Sequence, residues 1–200
     1  MCIASAAMCF VGCVNDDSEP YPSLKTDVVI AETNASGILS KIKFDNGNSY
    51  DIASQKISFN VADTLIRCVA SYTLNENSLK IYSIANIYSN PPVPLAKFLE
   101  EGKYTEETLP RDPVNVVSMW KSGGYINMQL GVLTSGYASY SHAYAFCEDA
   151  EGEYSLLHLR PSTDTESYTE IVFLSMPIPE GVDSLTFSVA TYEGTYTRTF

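Results

Sequence analysis

Beyond residue 24 the apolar positions fall in short runs, either alternating with polar ones or nearly continuous and β-branched, and few follow the period of a helix. Asp27–Ala31 (DVVIA) and Ile38–Phe44 (ILSKIKF) are predicted strands, and Asp45-Asn46-Gly47-Asn48 carries the Asn-Gly signal of a tight hairpin. Residues 49–54 return against it, and Thr64–Leu74 (TLIRCVASYTL) and Ser78–Tyr88 (SLKIYSIANIY) make a second hairpin about Asn75-Glu76-Asn77. Five short strands in close succession suit a small closed or partly open barrel of the OB-like kind.

Pro91-Pro92-Val93-Pro94 then interrupts pairing, because proline lacks the backbone donor, and marks a connector that Pro110 and Pro113 close. Within it Leu95–Tyr104 is predicted as one short helix. Val114–Lys121, Tyr125–Val132, His142–Cys147, Tyr154–Arg160, Tyr168–Ile178, Leu185–Tyr192 and Thr195–Phe200 follow as strands, with turns at Ser122-Gly123-Gly124, Ala150–Glu153 and Pro179-Glu180-Gly181. This pattern predicts an antiparallel β-sandwich. Ile126, Met128, Leu130 and Val132 mark its buried face, with Asn127 and Gln129 pointing away.

The N-terminus reads differently. Residues 2–11 are apolar or small and uncharged, too short to span a bilayer but of the length of a signal-peptide core, and Asn15-Asp16-Asp17-Ser18-Glu19-Pro20 then begins a solvated tether. Phe10-Val11-Gly12-Cys13 resembles a bacterial lipobox, with Phe where Leu is usual. The resemblance implies cleavage before Cys13 and acylation of its thiol and amine. Several acyl chains on one residue hold a protein at a membrane where a single chain is marginal. No Lys or Arg precedes the apolar run, which points to a start upstream of Met1. The acidic residues after Cys13 resemble surface-export signals, implying the outer membrane and either its periplasmic or its exposed side.

The expected fold class is therefore all-β, a small OB-like barrel followed by an antiparallel β-sandwich. Its expected divisions are signal peptide 1–12, acidic tether 13–24, barrel 25–88, proline-rich connector 89–112 and sandwich 113–200.

Charge narrows the partners. The chain carries 24 Asp and Glu against 12 Lys and Arg, a formal charge of −12, and its scattered basic residues form no phosphate-binding stripe, which argues against nucleic acid. With 14 Tyr, 8 Phe and one Trp it is rich in residues that pack on sheets. Of five cysteines only Cys68 and Cys147 lie in the body, which excludes a disulfide scaffold and suggests two separate buried thiols.

No constellation carries catalytic chemistry. His142 and His158, the two histidines, have no companion at metal-ligand spacing. Ser139, Ser141 and His142 have neighbours on opposite strand faces and no Gly-x-Ser-x-Gly elbow. Glu100-Glu101 and Glu106-Glu107 lie in the irregular connector rather than a rigid cleft. Asp45–Ser49 has glycine where a calcium loop needs a ligand. The sequence accordingly implies no enzyme, cofactor or metal. Tyr137, Tyr140 and Tyr144, in a segment dense with aromatics, are candidates for a binding surface, since tyrosine offers a flat apolar face with a polar rim.

The order of these parts, with Trp120-Lys-Ser-Gly-Gly-Tyr-Ile-Asn127, His142, Leu157-His158, and Tyr168 leading to Ser175-Met-Pro177, resembles the NigD-like lipoprotein family; Leu159-Arg160 stands where that family has Asn. The resemblance implies an OB-like domain before a β-sandwich, and a link with bacteriocin immunity. The expectation is a non-enzymatic, lipid-anchored envelope protein that binds a protein or peptide toxin. The alternative is a glycan-binding accessory envelope protein.

Overall fold

The computed structural model of the chain describes residues 23–75, 78–100, 102, 104–135, 141–160 and 168–200. Cys13, Tyr137, Tyr140 and Ser139 lie outside the described residues.

The N-terminal unit is one five-stranded antiparallel sheet in the order β3-β2-β1-β4-β5, built from β1 (Lys25–Thr33), β2 (Leu39–Phe44), β3 (Ser49–Asp51), β4 (Leu65–Asn75) and β5 (Ser78–Asn86). It curls around Val29, Ala31, Leu39, Ile42, Cys68, Ala70 and Tyr72, which are the inward positions of alternating strands. The predicted hairpin is present at Gly47, whose φ of 90° is open to glycine, and Asn46 Oδ1 accepts from Asn48 N at 3.0 Å. The barrel is left partly open between β3 and β5. Gln55 bridges that seam with its side chain, accepting from Ile81 N and donating to Ile81 O, both at 2.8 Å, as a strand backbone would.

Eight further strands form two packed sheets. One has the order β11-β8-β7, from β7 (Asn115–Ser122), β8 (Tyr125–Thr134) and β11 (Tyr168–Pro177). The other has the order β13-β12-β10-β9-β6, from β6 (Val93–Pro94), β9 (Ser141–Phe146), β10 (Glu153–Leu159), β12 (Thr186–Thr191) and β13 (Gly194–Thr199). Between them Met128, Leu130, Tyr144, Met176 and Phe187 are buried completely. A side chain of that size contributes about 1.5–3 kcal/mol when fully buried.

The sandwich is not wholly antiparallel. β10 pairs with β12, and β6 with β9, in parallel. The first follows from β11 lying in the opposite sheet: the chain crosses over and returns in β10's direction. The connector is also less free than its prolines imply. Val93-Pro94 adds β6 to a sheet edge, and helix α1 (Leu95–Glu100), shorter than predicted, packs with Leu109 against Ala145 and Leu157.

Candidate functional site at the junction of barrel and sandwich

Strand β4 turns Cys68, Ala70 and Tyr72 into the barrel, so Arg67 must face outward. Outward here means the sandwich. The Arg67 side chain is only 2% exposed. Its guanidinium meets Asp45 bidentately, Nη1 to Oδ1 at 2.5 Å and Nη2 to Oδ2 at 2.7 Å. It then reaches across the junction, donating from Nη2 to Asn127 Oδ1 at 2.9 Å and from Nε to Ser175 Oγ at 3.2 Å. The Tyr125 ring lies 4.2 Å from its central carbon, in cation-π contact.

The sandwich side completes the network. Ser122 Oγ donates to Asp45 Oδ2 at 2.6 Å, Asn127 Nδ2 donates to Ser122 Oγ at 2.9 Å, and Ser175 Oγ donates to Asn127 Oδ1. Burial by itself would raise the Asp45 carboxyl, but the hydrogen bonds from Arg67 and Ser122 outweigh it and hold the group below the ordinary carboxylate range. Oδ1 thus accepts one hydrogen bond and Oδ2 two, so Asp45 is held ionised in a fixed orientation across the junction.

The segment Trp120–Asn127 therefore has a physical role: it is the sandwich's half of this junction. Asn127 does point away from the sandwich core, as predicted, yet it is fully buried because the barrel covers it. Gly123 lies at φ 58°, and a Cβ there would fall 2.4 Å from Asp45 Oδ1. Gly123→Ala is expected to cost about 1–3 kcal/mol from the left-handed backbone and the displaced carboxylate. A denaturation midpoint equal to wild type would contradict this.

Beside the network lies a cleft of about 340 Å³ lined by Asp27, Phe44, Asp45, Tyr72, Trp120 and Ser122, among others. Tyr72 donates to Asp27 Oδ2 at 2.5 Å, and burial, then that bond, hold its phenol above the usual value. The cleft is lined from both units, Asp27, Phe44, Asp45 and Tyr72 on the barrel side and Trp120 and Ser122 on the sandwich side.

The two histidines, His158 buried and His142 partly buried, form a second constellation. His142 and His158 are directly opposed on β9 and β10, with rings stacked at 4.9 Å. Burial lowers both to about 4, the neighbouring imidazole adding to the effect on His142; for His158, Asp112 opposes it and Arg160 reinforces it. Sixteen residues separate them in the sequence; the β9–β10 register makes them a pair.

Tyr144 corrects the expected binding surface. It is 0% exposed, its ring packed 5.1 Å from Tyr88 and 6.1 Å from Phe187. Strand alternation turns it into the sandwich, so it offers no face to a sugar or a partner. Cys147 is likewise exposed rather than buried, whereas Cys68 is buried and its thiol pushed up to about 12; both are free. Ser141 is exposed next to the largely buried His142, and Glu106 and Glu107 lie exposed in a turn. Among the described residues no group of three or more His, Cys, Asp or Glu could hold a metal, and no helix is long and apolar enough to cross a membrane.

Comparison with known proteins places this architecture. Residues 95–178 match the family described as the NigD-like C-terminal beta sandwich domain. No curated protein matches the chain. Among solved structures, a NigD-like immunity protein from Bacteroides caccae is similar at a TM-score of 0.66 and 24% identity, covering 91% of this chain and 94% of that one. A protein described as toxin-related from Parabacteroides distasonis is similar at a TM-score of 0.66 and 16% identity, over 88% of this chain and 92% of that one. At such identities the likeness establishes the two-part fold.

Proposed function

We propose that the protein is a non-enzymatic lipoprotein, anchored through Cys13 in the outer membrane, that confers immunity by binding a protein or peptide toxin, a reading that starts from the match of residues 95–178 to the NigD-like C-terminal beta sandwich domain. The observation that carries this reading is the likeness to a NigD-like immunity protein across both units, over 91% of the chain. The polar groups support binding over catalysis. Arg67, Asp45, Ser122, Asn127 and Ser175 bond one another, and the buried His158 stacks on the partly buried His142.

The anchor and the activity are tested together. Metabolic labelling with a fatty-acid analogue is expected to mark the wild-type chain and to leave Cys13→Ala unlabelled and released from membranes. Cells expressing the wild type should survive a toxin that kills cells expressing Cys13→Ala. Equal labelling of the two chains refutes the anchor, and absence of protection against any toxin of competing strains refutes immunity.

A further inference from the structure

At the edge of the sandwich where the connector enters, Pro91, Pro92, Phe146, Tyr154 and the Pro177-Ile178-Pro179 corner enclose an open cavity of about 410 Å³. Its volume is at the small end for ligand pockets, roughly 300–1,000 Å³, and suits one large side chain with its neighbours rather than a free polar metabolite. The lining is prolines, aromatics and one isoleucine. Three separate segments build it: the lead into β6, the β9–β10 hairpin and the end of β11.

The rim is acidic. Glu148, Asp149 and Glu151 lie in the β9–β10 turn between Phe146 and Tyr154, Glu153 opens β10, and Glu180 follows Pro179; all five are exposed. Glu151 acts electrostatically on Tyr154, whose phenol burial and then that carboxylate hold above the usual value. The segments that build the cavity, residues 88–96, 141–156 and 177–184, contain no Lys or Arg at all. Lys121, from β7, donates to the Asp183 carbonyl at 3.3 Å, and against that one cation stand the five carboxylates of the neighbouring segments. An apolar slot flanked by an excess of carboxylates is complementary to a cationic amphipathic segment.

We propose that this cavity is the docking site for a cationic amphipathic peptide segment of the protein's partner, with an aromatic or long aliphatic side chain entering between Phe146, Tyr154 and the prolines while Lys or Arg residues face the acidic rim. The proposal rests on the binding reading above and assigns it a site and a ligand chemistry. Charge decides among occupants. The chain's own tether carries Asp16, Asp17 and Glu19, and a second copy carries the same net charge of −12, so both meet the rim with like sign.

The test uses the full chain carrying Cys13→Ser and fluorescently labelled synthetic peptides, read by anisotropy. The probes are a twelve-residue Lys-rich peptide with one central Trp, its Trp→Ser analogue and its Lys→Glu analogue. Binding of the first is expected to fall at least tenfold for either analogue. Pro91→Trp, which fills the cavity from an exposed position, should weaken it at least tenfold. The rim pair Glu148→Lys/Glu180→Lys should weaken it at least tenfold, whereas Glu170→Lys/Glu193→Lys, an equal charge change at the far ends of β11 and β12, should change it less than threefold. Equal loss in both pairs, or binding unaltered by Pro91→Trp, overturns the site and identifies diffuse charge attraction. A toxin that is still neutralised by the Pro91→Trp and Glu148→Lys/Glu180→Lys chains overturns the site but leaves the immunity reading intact. Wild-type chain that protects against no toxin removes that reading, whatever the peptides do.

Discussion

Replacing Arg67 with Ala is expected to lower the stability of the protein by about 3–5 kcal/mol, the range for removing one partner of a buried ion pair. The cost is not mainly the lost attraction. Asp45 is 14% exposed at its side chain, and without Arg67 it keeps only the Ser122 hydroxyl against burial. Across the junction Asn127 Oδ1 and Ser175 Oγ also lose the guanidinium. Arg67→Met with Asp45→Asn removes both charges together and leaves the Asn127–Ser122–Ser175 hydrogen bonds in place, so the double variant should recover at least half of the loss. Urea denaturation followed by Trp120 emission measures this, because the single Trp lines the cleft beside Asp45. A single-variant loss below about 1 kcal/mol, or a double variant no better than Arg67→Ala, would show that the junction does not depend on the pair.

The second large effect is acid destabilisation by the histidine pair. Both imidazoles titrate at about 4 in the folded protein against an ordinary 6.5, so the unfolded chain binds more protons between those values. Stability is therefore full above about 6.5 and falls as pH drops through the window toward 4, by roughly 3 kcal/mol for one histidine. Asp112, Arg111, Arg160 and Tyr88 lie around the pair, and the Asp112 carboxylate accepts from Arg160 N at 2.6 Å. His142→Phe with His158→Phe should flatten the stability profile between pH 6.5 and 5, a range in which ordinary carboxylates stay ionised in folded and unfolded chains alike. An unchanged slope in the double variant would mean that other groups set the acid limb.

Much of the strand pattern was legible because alternation and turn residues are local signals. The Asn46-Gly47 hairpin needs only four consecutive residues, and the Ile126, Met128, Leu130, Val132 face needs only a strand period. The junction was not legible for the same reason. Arg67 sits in an apolar strand like any surface cation, and its partners Asn127 and Ser175 are 60 and 108 residues away. Asp45 is a turn residue, and nothing in the turn signal marks its second role as the partner of Arg67. Tyr144 is not legible as a core residue because aromatic density says nothing about which strand face a second sheet will cover; here the β11-β8-β7 sheet covers it, while Phe187, 6.1 Å away, packs beside it from β12 of its own sheet. The Trp120–Asn127 segment stood out as a pattern before its reason was apparent, which is packing against the barrel.

The reach of Arg67 across the chain also orders events in time. The barrel's hairpins β1–β2 and β4–β5 close over short loops, whereas the guanidinium meets Asn127 and Ser175 only after most of the sandwich has been assembled. Its pairing with Asp45, 22 residues away, lies within the barrel, so the bonds to Asn127 and Ser175 are the ones expected to form last and to be lost first. The junction is accordingly expected to set how slowly the finished protein comes apart more than how quickly it forms, so that loss of the Asn127 and Ser175 contacts should speed unfolding and leave the folding rate nearly unchanged.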